Sequence, residues 1–265
     1  MKTTADTQSI EISTALESWY ARHPDGALIE RIQACLQPTF DRSFGYHICQ
    51  MGPLACFPLV DGSPIHHRIY TTGDHPSPNA SMQCHGDELP LETGSMDMLV
   101  AFHALDFDPN PHGVLREMQR VLRPSGHLVL IGFNPYSLLG VSLSARRFAN
   151  HELWHRLKPV SPGRLTDWLH LVDCEVEAIS HLYPLPLVGK GKLRRGIQRV
   201  DEWAARHGLP GGGLYVAHAV KRIAGVRRPR PVPAITRKPL VGLAVAGAPS
   251  PTPRQPRDSS KDVAA

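Results

Sequence analysis

Residues 89–135 read LPLETGSMDMLVAFHALDFDPNPHGVLREMQRVLRPSGHLVLIGFNP (Leu89–Pro135), and this stretch decides the fold. Ser95–His103 holds Met96, Met98, Leu99, Val100, Ala101 and Phe102, a nearly continuous apolar run. Such a run suits a strand covered on both faces. Pro111–Leu122 follows with Val114, Leu115, Met118, Val121 and Leu122 on one helical stripe. Arg123–Gly126, RPSG, ends that helix, because proline cannot continue the hydrogen-bond ladder and glycine tolerates the reversal. His127–Phe133 is the next apolar strand. A strand, a crossover helix and a second buried strand make one half of an open parallel sheet, whose ligands sit at the strands' carboxyl ends.

Working outward, a helix is expected near Ser13–Ala21, and a second carries Leu28, Ile32, Cys35 and Leu36 on one face, with a break at His23–Gly26. Phe44–Met51 reads as a strand, and Ile65–Tyr70 and Ala80–Cys84 as weaker ones. The connections Gly52–Pro64 and Thr71–Asn79 are rich in proline, so neither holds a normal crossover helix. Ser161 caps a helix with Pro162 at its first position and Leu165, Trp168 and Leu169 inward. Cys174–Leu182 and Leu214–Arg222 are the last two strands, with a proline-rich loop and a helix near Leu193–His207 between them. The expected organisation is an N-terminal helical segment (1–43), an α/β domain (44–225, with an insertion at 184–213) and a disordered tail (226–265).

The 265 residues are 42% hydrophobic and 20% charged, which suits a soluble globular protein. The N-terminus MKTTADTQSIEIS has no secretory apolar run, and no segment approaches the roughly 20 apolar residues of a membrane span. Cys35, Cys49, Cys56, Cys84 and Cys174 stand singly, which argues against a disulfide framework and for a reducing cytoplasm. The net charge of +5 is uneven: the eight Lys/Arg and two Asp of Val226–Ala265 give the tail +6, leaving the body near −1. A near-neutral body argues against nucleic-acid binding, which needs a basic face. The tail, with eight prolines, reads as a solvated appendage or as an electrostatic tether to an anionic partner.

The elements of Leu89–Phe133 resemble the class I S-adenosylmethionine (SAM)-dependent methyltransferases, in particular the methyltransferase type 11 group. The matching residues are LP followed by an acid, the Met96–Asp97 pair opening a strand, LREMQRVLRPSGHL and the apolar strand after it. Weaker likeness extends over WYARHPDGALIERIQ…FGYHICQMG, RLTDWLHLVDCEVE and LYVAHAVKR, so the resemblance spans roughly Ser13–Arg222. It implies an α/β, Rossmann-like sheet of seven strands, mostly parallel with the last antiparallel and helices on both faces. It implies SAM as cofactor, lying across the carboxyl ends of the first, second and fourth strands, and a small-molecule acceptor.

The resemblance also implies site residues. Gln50 stands where the family has an acid after strand one, and Gly52 keeps a glycine whose missing β-carbon lets the backbone approach SAM. Later glycine positions hold Leu54 and Cys56, and Pro53 removes an amide. Asp74 is the candidate for the ribose hydroxyls and Asp87 for the adenine amine, while Phe102 and His103 close strand four beside the donor methyl. The departures leave three readings: SAM bound by altered contacts, SAM bound weakly, or a non-catalytic scaffold that acts through a partner.

Methyl transfer needs a base only when the acceptor holds its proton. His103 is either that base or a strand-closing histidine held by loop hydrogen bonds. Asp97, at the opposite end of the strand, reads as a capping residue, and Arg116 and Glu117 as ion-pairing groups. Asn134–Pro135–Tyr136 reads as a turn at the sheet's carboxyl edge. His66, His67, His75, Cys84 and His85 lack zinc-type spacing, so no metal is expected. The G-x-S-x-G, P-loop and G-x-G-x-x-G patterns are absent, which argues against three other enzyme classes.

Overall fold

The structure is a computed structural model and describes residues 4–21, 27–54, 57–73, 79–148, 156–182 and 212–222. By contacts the chain divides into Met1–Val226 and Arg227–Ala265, and the described residues all belong to the first unit. The expected tail, most of the expected insertion, Cys56, Asp74 and His75 lie outside the described residues.

Two helices, α1 (Thr4–Ala21) and α2 (Ala27–Phe40), precede β1 (His47–Met51). Among the described residues between β1 and β2 (His67–Thr72) lies a 3-10 turn, Leu59–Gly62. Then come β3 (Met82–Gln83), β4 (Met96–Phe102), α3 (Pro111–Val121), β5 (Leu122–Phe133), α4 (Leu138–Phe148), α5 (Pro162–Leu171), β6 (Cys174–Leu182) and β7 (Leu214–Lys221). The seven strands form one sheet in the order β3-β2-β1-β4-β5-β7-β6. β1 pairs in parallel with β2 and β4, and β4 with β5, whereas β7 runs antiparallel to both β5 and β6. The α/β reading with an antiparallel last strand therefore holds.

Every residue of β4 is buried, as its apolar run requires. On one face of the sheet Leu16, Ile32, Leu36 and Phe40 of the N-terminal helices join Leu139 and Leu143 of α4 over Val100, Val129 and Ile131. On the other face Val114, Leu115 and Met118 of α3 and Leu165 and Leu169 of α5 cover Leu99, Leu128 and Leu130. Each such side chain contributes about 1.5–3 kcal/mol on full burial, so these two layers hold the sheet.

Local chemistry sets the element ends. Asn110 caps α3 by accepting the Gly113 amide at 3.1 Å, with Pro111 in the first turn. Lys221 closes the far end of α3, its Nζ donating to the Gln119 and Leu122 carbonyls at 2.7 Å each. Ser161 caps α5, as its sequence position predicts. β5 begins earlier than expected, at Leu122, but the partner of β4 jumps from Leu122 to His127, so RPSG is accommodated as an irregularity with Ser125 at φ +64°. α4 was not anticipated. Its start depends on the Ser137 hydroxyl, which accepts the Gly140 amide at 2.9 Å and donates to the Asn134 carbonyl at 2.7 Å.

Candidate functional site

The carboxyl ends of β1, β4 and β5 bring Gly52, His103 and Asn134 to one edge of the sheet. His103 follows β4 in the left-handed region (φ +55°), a conformation that a bulky residue adopts only when its surroundings hold it. Its amide donates to the Ile131 carbonyl at 2.9 Å. Its ring lies against Phe133 (centroids 4.3 Å apart) and Phe102 (5.0 Å) and is fully buried.

Both ring nitrogens are engaged. Asp106 Oδ2 lies 2.7 Å from Nδ1 and also accepts the Phe133 amide at 3.0 Å. An oxygen that already accepts from an amide accepts from the imidazole too, which places the ring hydrogen on Nδ1 and leaves Nε2 as an acceptor. Tyr20, near the end of α1, fills that position with its hydroxyl 2.7 Å from Nε2. Burial, with the nearby Asp106 charge adding to it, pushes the Tyr20 phenol well above its ordinary pKa, so the phenol keeps its hydrogen and donates. Asp106 Oδ1 is buried without a hydrogen-bond partner. The result is a buried Tyr20–His103–Asp106 relay that joins α1 to the loop after β4.

The loop after β1 is fixed by Gln50. Its Nε2 donates to the carbonyls of Phe57 (2.9 Å) and Leu54 (3.4 Å), and its Oε1 accepts the Leu59 amide at 2.8 Å. The polar atoms of Gln50, expected at the cofactor, hold the proline-rich loop after β1. Gly52 meets a constraint within the protein itself. At φ +129° it sits so close to β4 that a β-carbon there would collide with the Phe102 carbonyl, so its demand for glycine comes from the neighbouring strand. Phe102 is fully buried beneath His103 and offers no surface to a ligand. The Tyr20 ring lies against Phe57 (5.8 Å) and Phe102 (5.4 Å) and spans the gap between the two loops.

The expected nucleoside-binding residues lie along the carboxyl end of β2 and the β3–β4 loop. Asp87 is half-buried, and its Oδ2 accepts from Asn110 Nδ2 at 3.5 Å. Beside it burial raises the pKa of Asp108, opposed by the Asn110 amide that it accepts at 2.7 Å. Thr72, at the carboxyl end of β2, holds a buried hydroxyl without a partner. An orphaned buried hydroxyl here and a carboxylate on the β3–β4 loop match the groups that a ribose and an adenine amine require.

The remaining candidates are structural. Asp97 Oδ2 accepts the amides of Tyr46 (2.6 Å) and His47 (2.8 Å), and its other oxygen pairs with Arg123, at the end of the strand away from His103. Glu117 accepts the Leu89 amide at 3.0 Å and pairs with Arg120, which donates to the Leu89 and Leu91 carbonyls. Asn134 holds a turn, its Oδ1 accepting the Tyr136 amide at 3.1 Å and its Nδ2 donating to the Gly212 carbonyl at 2.9 Å. Among the described residues no group of three potential ligands could hold a metal ion. Nor is any helix there long and apolar enough to cross a membrane. Tyr20 and Asp106 were missed in the sequence. The three-residue spacing from His103 was a usable signal for Asp106, but nothing local marks Tyr20.

Residues 65–130 match the sequence model of a methyltransferase domain family. An uncharacterized protein, YafS, of Escherichia coli (strain K12) is 29% identical over 174 residues, covering 62% of this chain and 67% of that protein. Among solved structures, a SAM-dependent methyltransferase of Thermotoga maritima, described as a possible histamine N-methyltransferase, superposes with a TM-score of 0.54 at 16% identity, covering 81% of this chain and all of that one (100%). A putative methyltransferase from a Haloferax volcanii complex with the Trm112 activator gives 0.52 at 16% identity, covering 78% and 97%. The fold resemblance, the strand order and the family match agree: the chain has the class I SAM-dependent methyltransferase fold and carries the methyltransferase-domain signature over residues 65–130.

Proposed function

We propose that the chain is a SAM-dependent methyltransferase acting on a small-molecule acceptor, with His103 as its general base. The observation that carries this reading is the Asp106–His103 pair at the carboxyl end of β4, with Nε2 held as an acceptor. Support for SAM comes from the family match, the fold and the nucleoside end of the edge, where Thr72, Asp87 and, outside the described residues, Asp74 are the groups that would hold it. Bound there, SAM supplies an electrophilic methyl on a sulfonium. His103 Nε2 takes the acceptor's proton, while Asp106 keeps the hydrogen on Nδ1 and stabilises the imidazolium that forms. Phe102 and Phe133 fix the ring plane and exclude water, which favours alignment over bulk solvation. A cytoplasmic location goes with this reading, on the strength of the unpaired cysteines.

A second reading, a non-catalytic methyltransferase scaffold that acts through a partner, is favoured by a specific feature: Gln50 commits its side-chain amide to the loop after β1, and Tyr20 occupies His103 Nε2. The Haloferax relative is a putative methyltransferase in complex with an activator, a precedent for such a partner. Titration calorimetry with SAM and S-adenosylhomocysteine decides between them. Saturable heat at sub-millimolar ligand, weakened at least tenfold by Asp87→Ala, supports the enzyme; no heat at millimolar ligand supports the scaffold.

A further inference from the structure

The position that a base must offer its acceptor is already taken, by a side chain of the protein. Tyr20 donates a phenolic hydrogen to His103 Nε2 at 2.7 Å, inside an aromatic enclosure of Trp19, Phe57, Phe102 and Phe133. We propose that the Tyr20 phenol holds the acceptor's seat, and that the site takes an aromatic hydroxyl compound whose O–H replaces that of Tyr20 on His103. This inference rests on the methyltransferase reading and names the acceptor class of that same site.

Three observations converge on a hydroxyl. In the neutral ring, with Asp106 accepting from Nδ1, Nε2 is the acceptor, so its partner must bring a hydrogen. A neutral amine attacks through a lone pair it already has, and a carboxylate has no proton to give; a phenol is the acceptor that gains most from this base. The enclosure is built from ring faces and edges, which favour an aromatic body over an aliphatic chain. The seat can be vacated by movement of a single helix turn. Tyr20 is the last residue but one of α1, whereas Leu16 and Ile12 anchor the helix one and two turns earlier. Unwinding the final turn swings the phenol and Trp19 out together, leaves those anchors in place, and leaves Phe57, Phe102 and Phe133 as the ring surfaces of the seat.

In the reaction the acceptor oxygen forms its bond to the methyl carbon as the carbon–sulfur bond breaks. The bonding pair leaves on sulfur, giving the neutral thioether. The phenolic proton passes to His103 Nε2 and from there to solvent when the turn reopens. The products are an aryl methyl ether, S-adenosylhomocysteine and one proton.

The test compares p-cresol, p-toluidine and p-toluate, which share a ring and differ in the polar group. Calorimetry on the full chain bearing Tyr20→Ala, without SAM, is expected to give p-cresol at least a tenfold lower Kd than p-toluidine, and no p-toluate binding. Adding His103→Leu is expected to abolish the preference. Tyr20→Phe, which keeps the ring and removes only the competing hydroxyl, is expected to raise p-cresol affinity several-fold over the unaltered chain and guards against a misfolded alanine variant. Equal binding of cresol and toluidine, or a cresol preference that survives His103→Leu, overturns the proposal. With SAM present, N-methyl or carboxyl-methyl products without any O-methyl product overturn it while leaving the methyltransferase reading intact. Absence of SAM heat removes that reading, and the cresol comparison still decides what the seat accepts.

Discussion

Asp106 Oδ2 lies 2.7 Å from His103 Nδ1 and 3.0 Å from the Phe133 amide, so one carboxylate oxygen orients the imidazole and ties the loop after β4 to the end of β5. Replacing Asp106 with Asn keeps the shape but turns one acceptor into a donor facing the ring. The expected cost is about 2–4 kcal/mol of stability, because the buried partners lose a charge-assisted acceptor. Urea unfolding measures it; a loss below 0.5 kcal/mol would mean the pair is dispensable to the fold.

Tyr20→Phe leaves His103 Nε2 buried without its donor. The expected destabilisation is about 1–3 kcal/mol, and a double-mutant cycle with His103→Leu should recover at least about 0.5 kcal/mol of coupling. Additive losses would show that the 2.7 Å contact carries no energy of its own.

Gly52→Ala places a β-carbon against the Phe102 carbonyl at φ +129°. The expected outcome is a loss of about 2 kcal/mol or more, or failure to accumulate folded protein, because backbone on the adjacent strand must move. Circular dichroism and thermal melting check this. A normally stable Gly52→Ala chain contradicts the close approach.

Asp97→Ala removes the acceptor for two amides at the start of β1 and the partner of Arg123. A stability loss of about 2–4 kcal/mol is expected, with any SAM affinity per folded molecule unchanged, because the residue sits at the opposite end of β4. Calorimetry normalised to the folded fraction tests the second half; a large change in affinity would remove Asp97 from a purely structural role.

His218 has its pKa lowered by burial first and by His127 second, while Glu177 raises it and Arg42 lowers it. The folded chain therefore resists protonating it, whereas the unfolded chain takes up a proton near the ordinary value of about 6.5. Stability from this group is complete above that value and declines as pH falls toward the depressed folded value. His181, also lowered by burial, acts in the same direction. Urea midpoints between about pH 7.5 and 5 should fall with pH, and His218→Gln should flatten the decline. An unchanged slope in the variant would locate the pH dependence elsewhere.

The nearly continuous apolar run of β4, the stripe of α3 and the Ser161 cap were legible in the sequence because each depends on neighbours within a few positions, whereas the Asn110 cap of α3 was not read there. Those local periods also determined that the sheet would be parallel at its centre, since only a crossover helix fits between β4 and β5. The tertiary structure alone decided the site. Tyr20 and His103 are 83 residues apart, and the bonds from the Gln50 amide to the Phe57, Leu54 and Leu59 backbone appear only once the chain is folded. A buried polar side chain takes whichever partner the packed chain presents, and that choice is made by contacts between distant segments, beyond the reach of any local pattern.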